Sequence, residues 1–351
     1  MQLFKCDNCQ HPVYFDNTFC SKCQYLLGFD GIGLTMVSLQ PSSLKSVVSG
    51  AKYHYCINYL QGVCNWIIPD TDPATICIAC SPNRTVPNSS NPKHLERWKT
   101  IEQAKHRLIY ALLRWNLPVK SKLSDPENGL AFDFKSDDYL PEGQRVLTGH
   151  ASGLITMNIA EADDVEREMA KKDMDEVYRT VLGHFRHEIG HYYWDLLIAD
   201  SEFIEEFRKL YGDERSSYQE ALEKYYKDGA PVDWSKNFIS AYATMHPWES
   251  WAETWAHYMH ITDTLETAYS FGLTIHPKVA PEEAGLSATI DENAYDCKDF
   301  KKIYKYWLPL SIMMNSLNRS MGANDLYPFV INPSVKEKLK FIHKVICNRK
   351  K

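Results

Sequence analysis

Two periodicities organise the chain. From His94 to Leu117, HLERWKTIEQAKHRLIYALLRWNL places Trp98, Ile101, Leu108, Leu112 and Trp115 on one stripe at helical spacing. Pro118 ends that helix, since proline has no N–H to continue it. From Gly153 to Ala160, GLITMNIA alternates instead, with Ile155, Met157 and Ile159 on one face and Thr156 and Asn158 on the other. A period of two predicts a half-buried strand. A second long helix is predicted over about 173–198, with Val177, Val181, Phe185 and Ile189 as its apolar side. Further helices fit 202–210, 217–227, 248–261, 299–318 and 334–347. The acidic run from Glu161 to Glu168 suits a solvated helix start, where the dipole favours acids. The expected fold class is α+β, mainly helical, with a small sheet beside the 173–198 helix.

Residues 1 to about 80 break this pattern, because eight of the ten cysteines fall there. The stretch SPNRTVPNSSNPK, Ser81 to Lys93, is rich in Pro, Ser and Asn and reads as a linker. Three regions are therefore expected: a first cysteine module at 1–28, a second with the linker at 29–90, and a larger domain at 91–351. The N-terminus shows no apolar leader, and no apolar run approaches the ~20 residues of a membrane span. The expectation is a cytoplasmic protein with reduced thiols, whose clustered cysteines ligate metal. Cys6-x-x-Cys9 and Cys20-x-x-Cys23 each point two thiolates at one ion, and together they complete a closed, structural four-cysteine zinc site of ribbon type. A redox Cys-x-x-Cys would sit in a βαβ pattern, which is missing here. Cys56, Cys64, Cys77 and Cys80 are expected to form a second such site. The alternative keeps Cys56 and Cys64 as buried thiols, since only the last two form a Cys-x-x-Cys. Net charge is −6, and residues 1–100 carry eight Lys/Arg against six Asp/Glu, so no nucleic-acid partner is expected.

The 173–198 helix contains HFRHEIGHYYW, and within it His187-Glu188-x-x-His191. Residues four apart share a helix face, so both imidazoles can turn toward one Zn²⁺, with Glu188 placed to act on water. A catalytic zinc needs a third protein ligand and an open position. HPWESWAETWAHY offers Glu249, Glu253 and His257 on one face, among Trp248, Trp251, Ala252, Trp255 and Ala256. Such an apolar helix is expected to be buried, and buried carboxylates require a metal or cation. One of the two glutamates would be a ligand and the other its support. Asp195, four after His191, is a candidate partner for a ligand histidine. His150, His184, His246, His257 and His260 are expected to be hydrogen-bonded structural residues.

The stretches YRTVLGHFRHEIGHYYW, GLITMNIAEADD and SAYATMHPWESWAETWAHYMHITDTLETA resemble the bacterial zinc-binding metallopeptidases with an N-terminal zinc ribbon. CDNCQHPVYFDNTFCSKCQYLLGFD and CINYLQGVCNWIIPD extend the resemblance, which covers about residues 1–275. That family is similar to gluzincins, and the Tyr-Ala…Glu-x-x-Ala-Glu arrangement is similar to lethal-factor-type peptidases. The resemblance implies a zincin-like domain with Glu249 as third zinc ligand, Glu253 supporting it, and Tyr242 donating to the oxyanion. The exchanged assignment, Glu253 as ligand, stays open. It further implies hydrolysis of a peptide or protein substrate with Glu188 as general base, and the two cysteine quartets with the histidine pair give an expected three Zn²⁺ per chain. The strand GLITMNIA would present an edge to an extended substrate. The competing function is a catalytically inactive zinc-ribbon adaptor, against which the intact Glu188 argues.

Overall fold

The computed structural model describes residues 2–141, 143–173, 180–279, 281 and 284–348. Its contacts divide into two units, Met1–Phe185 and Arg186–Lys351. The mixed α+β class holds: among the described residues eight α-helices accompany twelve strands, and the strands are short, none longer than five residues. Among the described residues no helix is long and apolar enough to cross a membrane.

In the first unit, β1 (Phe4–Lys5) and β2 (Pro12–Val13) make a short antiparallel pair. Next come β3 (Leu26–Asp30), β4 (Thr35–Leu39), β5 (Tyr53–Tyr55) and β6 (Trp66–Pro69), which form one sheet in the order β4-β3-β6-β5. The rings of Phe15, Phe29 and Trp66 pack edge-on or tilted beneath it, with Phe29 and Trp66 fully buried. The expected module boundary at 28/29 falls inside β3. Because β3, which follows Cys23, pairs with β6, which follows Cys64, one sheet links the chain segments that carry the two cysteine quartets.

Helix α1 (Pro92–Arg114) starts where Asn91 accepts a hydrogen bond from the Lys93 N–H at 3.0 Å, with proline at its first position. Its Tyr110 packs against Phe15 and Phe29. A second sheet runs β7-β8-β10-β9, from β7 (Asn83–Thr85), β8 (Ala131–Lys135), β9 (Gly149–Ala151) and β10 (Leu154–Asn158). Two expectations are corrected here. The stretch 81–93 is not a plain linker: β7 lies in it and pairs in parallel with β8, and Arg84 grips the buried Asp133 with two hydrogen bonds. Nor is β10 a free edge, because it pairs with β8 on one side and β9 on the other. Period-two alternation reports which face is buried but not which neighbours complete the ladder. Helix α2 (Asp164–Asp173) follows, with Asp164 and Glu166 in its first turn. Helix α3 (Val181–Leu197) begins with Phe185 packed edge-on against Phe132 and Phe134 of β8. The expected 173–198 helix is thus shorter at its start: the Thr180 hydroxyl accepts from the Gly183 N–H at 2.9 Å just before α3, Asp173 belongs to α2, and 174–179, including Val177, lie outside the described residues.

The second unit contains the remainder of α3, then α4 (Ile204–Tyr211), α5 (Tyr218–Asp228), α6 (Pro247–Ser270), the pair β11 (Thr274–Ile275) and β12 (Ala288–Thr289), α7 (Phe300–Ser320) and α8 (Pro333–Asn348). Helices α3 and α6 approach closely at Gly190. A Cβ there would meet the Ala252 Cα at 3.0 Å, so glycine is what this crossing admits. The Trp251 indole N–H donates to the Gly190 carbonyl at 2.8 Å, and Trp255 stacks on Tyr193. Helix α6 runs nine residues beyond the expected end at 261. Its added turns are threonine-rich, and the hydroxyls of Thr262, Thr264 and Thr267 bond back to carbonyls four residues earlier.

Candidate metal centres

The first cysteine quartet is built from two like turns. Cys6 N–H donates to the His11 carbonyl and the Gln10 N–H returns to the Cys6 carbonyl, both at 2.8 Å. Cys20 does the same with Tyr25 and Gln24, at 2.9 Å each. Gln10 and Gln24 both adopt positive φ, 60° and 63°, which closes each turn around its sulfurs. The sulfurs of Cys6 and Cys23 stand 3.5 Å apart, and those of Cys9 and Cys20 3.6 Å. Four sulfurs about 2.3 Å from one zinc would lie about 3.8 Å apart along the edges of a tetrahedron, whereas a disulfide needs about 2.05 Å. The Ser38 hydroxyl donates to the Cys6 sulfur at 3.4 Å.

Cys56, Cys64, Cys77 and Cys80 also converge, and all four are buried. This favours the second four-cysteine set over isolated thiols. Cys64 and Cys77 sulfurs lie 3.8 Å apart, and backbone N–H groups of Trp66 and Cys77 point at the Cys64 and Cys56 sulfurs. Burial pushes the Cys64 and Cys77 thiols well up, while hydrogen bonds from Cys56, Cys64 and Cys77 hold Cys80 well down. Four buried sulfurs cannot all ionise without a cation between them, so the donor set fits zinc. Sequence reasoning missed what surrounds this site. His106 of α1 places Nε2 3.6 Å from the Cys80 sulfur and 3.4 Å from a Glu102 oxygen.

The histidine motif converges as well. His187 and His191 bring their Nε2 atoms to 3.3 Å from one another. Metal–nitrogen bonds of about 2.0–2.1 Å in a tetrahedron require about 3.3–3.4 Å. Glu249 joins them, with Oε2 2.9 Å from His187 Nε2 and Oε1 3.5 Å from His191 Nε2. Glu249 is only 2 % exposed and sits in the first turn of α6. Desolvation would raise its pKa, yet His191 and His187 hold it well below the usual carboxylate range. Two imidazoles and one carboxylate, with ligand atoms all within 4.8 Å, form a set that could hold one zinc.

Glu253 lies on the other side of His187. Its Oε1 is 2.7 Å from Nδ1, and its Oε2 accepts from the Ser240 hydroxyl at 2.6 Å. An Nδ1–H bonded to Glu253 leaves the Nε2 lone pair facing Glu249 and His191, the arrangement by which carboxylates orient ligand histidines. Glu253 is therefore outside the convergent set of His187, His191 and Glu249. Glu188 is buried, and its charge reaches the Tyr218 phenol. Tyr242 lies in a short helical turn before α6, its ring centroid 6.1 Å from that of His187. Burial and the Glu249 charge drive its pKa far above the phenol range, so the hydroxyl keeps its proton. Asp195 stands exposed one turn beyond His191 and couples to it through charge.

The five other histidines singled out from sequence all have hydrogen-bonding partners. His184 meets Glu161, His150 accepts from Gly153 N–H, His257 meets the Tyr327 hydroxyl, and His260 accepts from Arg186. His246 caps α6 by accepting from the Trp248 N–H. Tyr218 and Ser240, which contact Glu249 and Glu253, were not picked out from sequence. With 21 tyrosines in the chain, nothing local distinguishes Tyr218 except its place after the capping Ser217.

A family model described as "putative zinc-binding metallo-peptidase" matches residues 94–345, more than half of the chain. The chain belongs to this metallo-peptidase family. A zinc-ribbon domain model matches residues 3–91, covering both cysteine quartets of this family member. The chain is 42% identical over 347 residues to proteins of Mycobacterium bovis and of two strains of Mycobacterium tuberculosis, each named an uncharacterized protein. Those alignments cover 99% of this chain and 95% of each relative. No solved structure matches it.

Proposed function

We propose that the protein is a zinc-dependent metallopeptidase of gluzincin type, hydrolysing bonds in a peptide or protein substrate. The observation that carries this is the convergence of His187, His191 and Glu249, backed by Glu253 on the far nitrogen of His187. In this reading His187, His191 and Glu249 hold the zinc through two imidazole nitrogens and a carboxylate oxygen. The bound ion supplies a Lewis acid that acidifies water and polarises the scissile carbonyl. Glu188 follows the first histidine on the same helix, and its carboxylate takes the proton from the attacking water. It then delivers that proton to the leaving amine. Tyr242, kept protonated by its surroundings, donates its hydroxyl proton in a hydrogen bond to the developing oxyanion. Glu253 fixes the tautomer and the ring plane of His187. The two cysteine quartets hold structural zinc, giving three ions per chain.

Metal analysis joined to a peptide-cleavage assay tests this. Wild type should carry three zinc ions, and His187→Ala should lose one. Glu188→Gln should keep all three and lower turnover at least about 10²-fold. Full hydrolysis by Glu188→Gln would defeat the mechanism and favour the adaptor. A total of one zinc would remove the second cysteine site together with one other.

A further inference from the structure

Resting on the proposed zinc site, one contact extends it. The Tyr218 hydroxyl donates to Glu249 Oε1 at 2.9 Å, while Glu249 Oε2 stands 2.9 Å from His187 Nε2. We propose that Tyr218 is a positioning residue that fixes Glu249 as a one-oxygen zinc ligand. The terminal torsion of a glutamate is broad and nearly two-fold, so its oxygens exchange unless something distinguishes them. A phenol that donates to one oxygen does so, and leaves the other to the ion. The geometry is prepared from both ends. Tyr218 is the first residue of α5, where Ser217 caps the helix by accepting from the Glu220 N–H. Glu249 lies in the first turn of α6.

His246 ties the two helix starts together. Its Nδ1 accepts from the Trp248 N–H at 3.2 Å, and its Nε2 bonds the Ser216 carbonyl at 3.1 Å. Its ring also packs edge-on against Tyr218, with centroids 5.3 Å apart. One imidazole therefore holds the residues that carry donor and acceptor. None of the α5 residues is buried, so packing alone anchors this helix weakly, and the contact to Glu249 adds to the ring contacts of Tyr218 with His246 and Trp248.

The test uses the full chain and zinc itself as probe. Tyr218→Phe removes one hydroxyl and leaves the ring against His246. Chelator competition should find the His–Glu site weakened about 10–100-fold, with the two cysteine-bound ions retained. With cobalt(II) exchanged into the labile site alone, Tyr218→Phe should lower the visible absorption, as two-oxygen binding raises the coordination number. A merely structural tyrosine would leave that spectrum unchanged. Glu249→Ala is the control that separates this inference from the reading beneath it. If Glu249→Ala loses the ion while Tyr218→Phe binds it within twofold of wild type with the same spectrum, the role of Tyr218 is refuted and the site stands. If Glu249→Ala binds zinc as wild type does, the ligand assignment falls and the inference falls with it.

Discussion

Removing the Lys105 ammonium should destabilise the first unit far more than a surface ion-pair would suggest. Lys105 and Glu102 are both 0 % exposed, one turn apart on α1, with Nζ 2.8 Å from Glu102 Oε2. Asn83 of β7 bridges them, accepting from Lys105 and donating to Glu102, and the Trp98 indole donates to the same carboxylate at 3.1 Å. The ammonium also faces the Phe132 and Phe134 rings, 5.5 Å from each centroid. Burial works to lower the Lys105 pKa, but Glu102 and the sulfurs of Cys80 and Cys77 outweigh it and the net shift is upward. Four thiolates around one Zn²⁺ leave two negative charges, and Glu102 adds a third. Lys105 is the cation set against them, so Lys105→Met leaves buried anions uncompensated.

For an exposed pair the loss would be about 0–1 kcal/mol, but breaking a buried pair from one side costs about 3–5 kcal/mol. For a unit of this size that is a fall of about 6–20 °C in melting temperature. The assay is thermal unfolding in excess zinc, with zinc release to a chelator followed in parallel. The double variant Lys105→Met/Glu102→Gln removes both charges and should recover part of the loss, giving a coupling energy of about 1–3 kcal/mol. If Lys105→Met melts within about 2 °C of wild type and holds its zinc equally well, the charge-balance argument is wrong.

Two further outcomes are expected. Glu253→Ala should weaken zinc binding or activity about 10–100-fold, while Tyr242→Phe should keep the metal and lower kcat about 10²-fold; the opposite partition, measured by metal analysis and kinetics, would exchange their roles. Burial draws the Lys338 pKa down to about 8, where the amine donates to the Ser250 hydroxyl at 2.9 Å. Its unfolded value is about 10.4, so between about pH 8 and 10.4 the unfolded chain holds a proton that the folded one has lost, and stability should rise with pH by at most about 3 kcal/mol. Below about pH 8 both states are protonated and the penalty is constant; urea titrations of wild type against Lys338→Met should show the slope in wild type alone.

Much of the helical framework was legible because its signals are local. The stripe from Trp98 to Trp115 gave α1, and the expected 299–318 and 334–347 match α7 and α8 within two residues at each end. The Cys-x-x-Cys pairs and His187-Glu188-x-x-His191 were readable because ligand spacing is itself local. What stayed hidden depends on partners distant in sequence. The strands β3 to β6 are three to five residues long, too short for alternation to stand out among cysteines and turns. In β8, AFDFK, the buried Asp133 is paired by Arg84, which arrives from β7, 49 residues earlier, as well as by its neighbour Lys135. Tyr218 reaches Glu249 across 31 residues, and His106 reaches Cys80 across 26. A single sequence carries no mark of such pairings, since a tyrosine on a helix start or a histidine on an amphipathic helix is ordinary on its own.

The same long-range pairings decide how the cysteine-rich region relates to α1 and its sheet. The ribbon match ends at 91 and the metallo-peptidase match begins at 94, which suggests a joint between separable parts. Within the first unit the contacts run across that joint. A cut at 91 removes β7 from the edge of the second sheet and takes Arg84 from the buried Asp133. It takes Asn83 from between Lys105 and Glu102, and Cys80 from beside His106. It strips Phe15 and Phe29 from Tyr110, which is fully buried only while they cover it. Each loss leaves a charge, a polar atom or an aromatic face on α1 without the neighbour that makes its burial favourable. The second cysteine site is therefore tied to α1 and β8 as well as to its own loop, and zinc held there would supply folding energy to elements on both sides of residue 91.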